Sequence, residues 1–173
     1  MRIKAFRVHA IAVLLGAGAI AGLGMATAGE AAAAPTTCVA ANGHQVEHVS
    51  GLSGCGAKAS PGSRASAYEE SGHGTAVAVA ESGGTATARN TQPGSSALSS
   101  AETGGTSYSV TTGPKAISVA QARRGGTTVA LGGFGGQAYA GKYGAACSGG
   151  FAIAGDSTSG KGCLRWGTIN VHN

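Results

Sequence analysis

The chain has 173 residues, which is room for one ordinary domain, and only 11% of them are charged while 32 are glycine. Three of its 12 basic residues lie among the first seven positions, and the nine basic and six acidic residues after Ala34 leave a net charge of +3. Such a small and scattered positive charge excludes the dense basic surface that nucleic-acid binding requires.

The first segment, residues 1–34, has the layout of a secretory signal peptide. Arg2, Lys4 and Arg7 precede an apolar stretch that extends to Ala28, and small Ala-x-Ala sites follow. We expect cleavage between residues 28 and 34, export, and no stable membrane insertion after cleavage. An uncleaved membrane anchor is the alternative, because the apolar stretch is about long enough to cross a thin bilayer.

All four cysteines lie after this segment, two near each end of the remaining chain. An even number of cysteines in an exported protein is typical of disulfides. Cys38 and Cys55 are 17 residues apart, and Cys147 and Cys163 are 16 apart. These short spacings favour the pairs Cys38–Cys55 and Cys147–Cys163, which close an N-terminal cap (residues 35–61) and a C-terminal cap (residues 146–173). A zinc site is the alternative, although no two cysteines have C-x-x-C spacing.

His44, Glu47 and His48 match the pattern H-x-x-E-H. On a helix, this spacing places two histidines on one face with the glutamate as general base of a metallohydrolase. However, Asn42-Gly43 and Ser50-Gly51 leave barely two helical turns between them. We therefore predict no catalytic residue, no cofactor and no metal site, and a small zinc metallohydrolase that uses these three residues is the alternative function.

A repeat of 21 residues occupies the middle of the chain, residues 62–145. Gly-Gly-Thr begins at Gly83, Gly104 and Gly125, and the intervening runs alternate with period two, which favours strands over helices. Three further columns share the spacing of 21: Val77, Leu98 and Val119; Ala80, Ala101 and Ala122; and Ala65, Ala86, Ser107 and Thr128.

The repeat predicts an all-β domain, a β-solenoid or β-roll with coils of 21 residues and disulfide-closed ends. We expect a thin interior of alanine, serine and threonine, in which Val77, Leu98 and Val119 stack with the alanine column nearby. A β-sandwich of short strands shares the turn spacing and a disordered low-complexity segment shares the composition, so both remain alternatives.

The closing segment concentrates the large apolar residues of the chain. We interpret it as a terminal cap with a small core of its own, in which Trp166 is buried. The residues concerned are Phe151, Ile153, Leu164, Trp166, Ile169 and Val171.

From Gly29-Glu30-Ala31 through Pro35-Thr36-Thr37-Cys38, and over most of the chain that follows, the sequence resembles a family of small secreted actinobacterial proteins, common in mycobacteria, of unknown function. The resemblance implies an exported or envelope-associated protein without a known activity. The alternating runs also look like the β-roll head repeats of bacterial adhesins, whose period is shorter. We expect a secreted or cell-envelope protein that is not an enzyme but a structural or surface-binding module. Its partner would be an envelope component or a host surface, and not nucleic acid.

Overall fold

A computed structural model describes residues 33–173. The predicted signal peptide, residues 1–34, lies outside this part of the chain except for Ala33 and Ala34, so export and cleavage remain predictions. The described residues form fifteen β-strands and no helix. None of them therefore belongs to a helix long and apolar enough to cross a membrane.

The strands are short and follow one another at close intervals. In chain order they are β1 (Thr36–Ala41), β2 (Gln45–Ser50), β3 (Ser53–Ala59), β4 (Arg64–Glu69), β5 (Thr75–Ala80), β6 (Thr85–Asn90), β7 (Ser96–Ala101), β8 (Thr106–Thr111), β9 (Ile117–Ala122), β10 (Thr127–Gly133), β11 (Gln137–Gly141), β12 (Gly144–Ser148), β13 (Phe151–Asp156), β14 (Lys161–Trp166) and β15 (Ile169–His172).

The strands form two sheets. The eight-stranded sheet has the order β1-β4-β6-β8-β10-β13-β14-β15, and the seven-stranded sheet has the order β12-β11-β9-β7-β5-β3-β2. From β3 to β11 the chain alternates between the sheets, and every strand pairs in parallel with the equivalent strand of the next coil. The protein is therefore a β-solenoid of about four turns with coils of about 21 residues. This confirms the predicted fold and excludes the β-sandwich and the disordered segment.

Small side chains fill the space between the two sheets. The buried apolar core of residues 33–173 consists of alanine and cysteine alone. The predicted column of Ala65, Ala86, Ser107 and Thr128 runs across β4, β6, β8 and β10, and all four side chains are fully buried. The predicted thin interior is thus confirmed, and the buried column of the facing sheet is Ala80, Ala101 and Ala122.

Buried serines in the middle coils connect the two sheets by hydrogen bonds. The Ser107 hydroxyl donates to the carbonyl oxygen of Ala120 at 2.8 Å, and the Ser109 hydroxyl donates to that of Ser118 at 2.7 Å. Because a buried hydroxyl without a partner costs free energy, these bonds allow serine to replace alanine inside the solenoid.

The prediction that Val77, Leu98 and Val119 stack inside the solenoid is wrong. The three residues are aligned on β5, β7 and β9 as expected, but they alternate with buried small residues and project from the outer surface, where each is half-buried. The reason is volume, since an interior that is already packed with small side chains has no room for a valine or leucine.

The large apolar residues of the closing segment do not form a buried core either. Trp166 is 67% exposed, Ile169 is 53% exposed and Val171 is 58% exposed. They lie on the outer surface of the eight-stranded sheet, because the interior positions of these strands carry small or polar residues. Together with Leu131 they make up a surface that we call the C-terminal apolar face: Leu131, Phe151, Ile153, Leu164, Trp166, Ile169 and Val171.

The geometry of the turn between the two strands of a coil explains why Gly-Gly-Thr is repeated. In the turn after β5, Ser82 and Gly83 both have positive φ (51° and 80°), and the amide of Gly84 donates to the carbonyl oxygen of Glu81 at 3.0 Å, as in a type I′ turn. Glycine is favoured at the second central position by its positive φ. The following Gly84 is needed for space, because a Cβ there would lie 2.5 Å from the carbonyl oxygen of Ala101 in the next coil.

Antiparallel strands and a disulfide close each end of the solenoid. At the N-terminal end β1 and β2 pair antiparallel with β4 and β3, and Cys38 on β1 is bonded to Cys55 on β3. At the C-terminal end β12 pairs with β11, β13 pairs with β10, and Cys147 on β12 is bonded to Cys163 on β14. Both disulfides therefore join one sheet to the other, at the pairs that the sequence spacing favoured.

Candidate functional site

The residues of the H-x-x-E-H pattern do not lie on a helix. His44 lies in the turn before β2, while Glu47 and His48 are exposed neighbours on β2. Successive side chains of a strand point to opposite sides, so the helical face that the zinc alternative requires does not exist. No group of three potential metal-ligating side chains occurs anywhere in residues 33–173.

A groove of about 540 Å³ lies where four turns meet near the C-terminal end of the solenoid, one of them the turn between β7 and β8 with Glu102 and Thr103. Arg123 and Arg124 come from the turn after β9, Lys142 comes from the turn between β11 and β12, and Thr158 and Ser159 come from the turn between β13 and β14. We call it the basic groove. Three cationic groups and two hydroxyls that converge on an open depression can bind negatively charged groups.

The backbone fixes the position of the two arginines. Arg124 has a positive φ of 51° and occupies the same type I′ turn position as Ser82 and Thr103 in the preceding coils. The amide of Gly126 donates to the carbonyl oxygen of Arg123 at 2.9 Å, and the Thr158 hydroxyl donates to the same oxygen at 3.3 Å. The turn is therefore tied to the β13–β14 turn on the other side of the groove.

The basic groups of the groove have no carboxylate partner. Within residues 33–173 the one ion pair is Arg89–Glu70, with a nitrogen–oxygen distance of 2.9 Å. Arg123, Arg124 and Lys142 are thus uncompensated at salt-bridge distance, and the Lys142 ammonium lies 5.3 Å from the centroid of the Tyr143 ring.

Asp156 and Glu102 also line the groove, but the Asp156 carboxylate is already hydrogen-bonded within its own turn. Its carboxylate accepts hydrogen bonds from the amides of Thr158 (3.2 Å) and Ser159 (2.9 Å). Burial alone would raise the pKa of Asp156, but the hydrogen bonds from Ser159 and Thr158 hold the pKa below its usual value. Three cationic side chains against two carboxylates leave the groove with a net positive formal charge.

This groove was not predicted from the sequence. A change of charge within one column of the repeat could have indicated it. Glu81, Glu102 and Arg123 occupy the same position in successive coils, 21 residues apart, and the third of them is basic. The position of Lys142 and Asp156 beside that turn had no such signal, since both residues lie where the regular period ends.

A second polar cluster is buried inside the N-terminal coils. Glu69 and Asn90 are fully buried neighbours on β4 and β6, and the Asn90 side-chain amide donates to the Glu69 carboxylate at 3.1 Å. The carboxylate also accepts from the amides of Ser71 and Gly72, both at 3.0 Å, and from the hydroxyls of Ser53 and Ser71. This cluster is enclosed by protein and is satisfied internally, so we regard it as structural.

Comparison with known proteins gives a family and no activity. No curated protein matches the chain. No solved structure matches it either. A family model described as a family of unknown function matches residues 2–166, which is nearly the whole chain. The chain therefore belongs to this family of unknown function, DUF6764.

Proposed function

We propose that the protein is exported and acts at the cell envelope or outside the cell as a non-enzymatic binding module, whose basic groove holds an anionic glycan. The observation that carries the proposal is the convergence of Arg123, Arg124 and Lys142 on one open groove without a carboxylate partner. Cationic side chains that are not paired within the protein are available to carboxylate or phosphate groups of a ligand.

Export is supported by the sequence of residues 1–34 and by the two disulfides. Disulfides form and persist mainly in oxidising compartments outside the cytoplasm. Mass spectrometry of the protein recovered from cells should find a mature N-terminus between Gly29 and Pro35. Intact Met1–Ala28 on a membrane-bound protein would contradict export by cleavage.

The non-enzymatic role is supported by the chemistry of the groove. Its side chains are cations, hydroxyls and two carboxylates, and the Asp156 carboxylate is occupied as the acceptor of two amides. The lowered pKa of Asp156 makes it a weak base. This set favours binding over proton transfer.

The proposal is tested by titrating the mature protein with a polyuronate and with a phosphodiester-linked glycan polymer, at low and at physiological salt. A neutral glucan and duplex DNA serve as ligand controls. The double variant Arg123→Gln, Arg124→Thr removes two charges, and Thr103 shows that threonine fits the turn. We expect it to weaken binding at least about 10-fold, and we expect binding to weaken with added salt.

The matched control is Lys58→Ser, Arg64→Thr, which removes two charges outside the groove. Equal losses in the two double variants would show a diffuse charge effect and would contradict a site at the groove. Binding of neither anionic polymer, or equal binding of the neutral glucan, would also contradict the proposal.

A further inference from the structure

The C-terminal apolar face is continuous across four neighbouring strands. Register places Leu131, Ile153, Leu164 and Val171 side by side on β10, β13, β14 and β15. Phe151, Trp166 and Ile169 form a second row beside them, in which the rings of Phe151 and Trp166 meet edge to face at 6.0 Å. The other outward positions of these four strands are Thr127, Val129, Gly133, Gly155 and Gly162, so that no charged side chain interrupts the face.

The face is large enough to be an interaction surface. Four strands about 4.8 Å apart and about 20 Å long span on the order of 400 Å². Apolar patches of this size on a soluble protein are often interaction sites. A standard interface buries about 800 Å² on each partner, so a contact through this face is about half that size and belongs to the weak, reversible class.

We infer that this face is the contact between two copies of the chain, packed face to face about a two-fold axis. A two-fold contact places the same surface on both partners, so an uncharged, flat face meets itself without like-charge repulsion. Sheets with large outward side chains pack against one another in this way, about 10 Å apart and with their strands nearly aligned.

A lipid surface is a poorer occupant, because the strands beside the face in the same sheet present no unpaired basic side chain to anionic headgroups. The strand next to β10 in the same sheet is β8, whose outward residues are uncharged, and Arg89 on the strand beyond it is paired with Glu70. The inference does not depend on the basic groove, which involves other residues.

Trp166 makes the inference testable, because it is the single tryptophan of the chain and lies on the face. The mature protein is examined from about 1 µM to about 1 mM by light scattering and by tryptophan emission with acrylamide quenching. We expect the mass to rise from monomer to dimer. Over the same range, emission should shift to shorter wavelength and quenching should fall. A monomer at all concentrations, or a mass change without a change at Trp166, would overturn the inference.

Variants locate the contact. Ile153→Lys and, separately, Ile169→Lys on the edge strand should keep the protein monomeric over the whole range. The matched control is Ile117→Lys, since Ile117 is 43% exposed on the outside of the other sheet and Ile153 is 39% exposed. Melting curves show whether each variant is folded, and the test rests on the folded ones. Dimers in both face variants, or loss of the dimer in the control, would refute the assignment. A Trp166 shift that requires phosphatidylcholine vesicles, without a dimer, would assign the face to lipid instead.

Discussion

Among residues 33–173, Glu69 is the largest of the fully buried side chains, and no cation there balances its charge at salt-bridge distance. Burial alone would raise the pKa of Glu69, but the hydrogen bonds from Ser53, Ser71 and Gly72 outweigh it and hold the pKa below its usual value. The solenoid therefore keeps an ionised carboxylate in its interior by surrounding it with hydroxyl and amide donors.

This lowered pKa predicts that acid destabilises the protein. The pKa of Glu69 is lower in the folded than in the unfolded chain. The ionised carboxylate therefore stabilises the fold fully at any pH above the pKa of a glutamate in the unfolded chain, which is about 4.3. This stabilisation is lost as the pH falls through the lower pKa that Glu69 has in the folded protein. Urea unfolding of the wild type should give a free energy of unfolding that decreases between about pH 5 and pH 2.

Glu69→Gln should be less stable than the wild type at neutral pH and should have a shallower pH dependence. Asp156 has a pKa shifted in the same direction, so part of the dependence should persist in the variant. A wild type that becomes more stable on acidification, or a variant with an unchanged slope, would refute this account of Glu69.

Two threonines at equivalent depth should respond oppositely to the same substitution. The Thr111 hydroxyl donates to the Asn90 side chain, whereas the Thr128 hydroxyl has no hydrogen-bond partner among residues 33–173, and both residues are fully buried. Because valine has the shape of threonine without the hydroxyl, Thr111→Val should lower the free energy of unfolding by about 1–3 kcal/mol. Thr128→Val should raise it by up to about 1 kcal/mol. Denaturant titration measures both, and destabilisation by both substitutions would contradict the prediction.

At the scale of the strand, alternation separates positions that look equivalent in the sequence. Ala97 is fully buried on β7, and the adjacent Leu98 is half-buried on the outer surface. Ala97→Asp places an unpaired carboxylate in a filled interior and should cost several kcal/mol, enough to unfold a small domain. Leu98→Asp loses part of an apolar surface contact and should cost about 1 kcal/mol. Thermal melting with intact disulfides compares the two, and the opposite order would mean that the outer column is the true core.

The sequence alone predicted the register of the coils, but for β5, β7 and β9 it did not show which side faces inward. A spacing of 21 aligns Val77 with Leu98 and Val119 whichever way they point, and period-two patterning says only that they share a side. Large apolar residues usually face the core, yet here the two sheets lie too close for them. The alanine columns were identified correctly because a thin interior admits little else.

The basic groove could not be predicted because the period ends before it is complete. Arg123 and Arg124 belong to the last regular turn, but Lys142 lies in the turn between β11 and β12 and Asp156 lies at the end of β13, where the chain follows no repeat. Without a repeating register, the sequence does not indicate which turns of the closing segment meet. The exposure of Trp166 was missed for the same reason.

For the molecule as a whole, the two disulfides should contribute similar amounts of stability. Each joins the two sheets across one end of the solenoid and closes a loop of about the same length, with separations of 17 and 16 residues. The chain-entropy relation gives about 3 kcal/mol for a loop of this size. Replacing both cysteines of either pair by alanine should lower the free energy of unfolding by about this amount, because alanine already fills equivalent interior positions. Denaturant unfolding of the two double variants tests this, and an unchanged stability in either would show that its end needs no covalent link.

The small-residue interior has a consequence for how such a sequence can diverge. Apart from Glu69, Asn90, Asp156 and the cysteines, the buried inward positions are confined by volume to alanine, serine, threonine or glycine, and most changes there damage packing. Outward positions on the same strands meet solvent and lateral neighbours, so they accept changes in size and charge at small cost. Mutations that alter what the molecule recognises therefore need not pass through less stable intermediates. New specificities can accumulate on one side of each strand while the other side stays fixed.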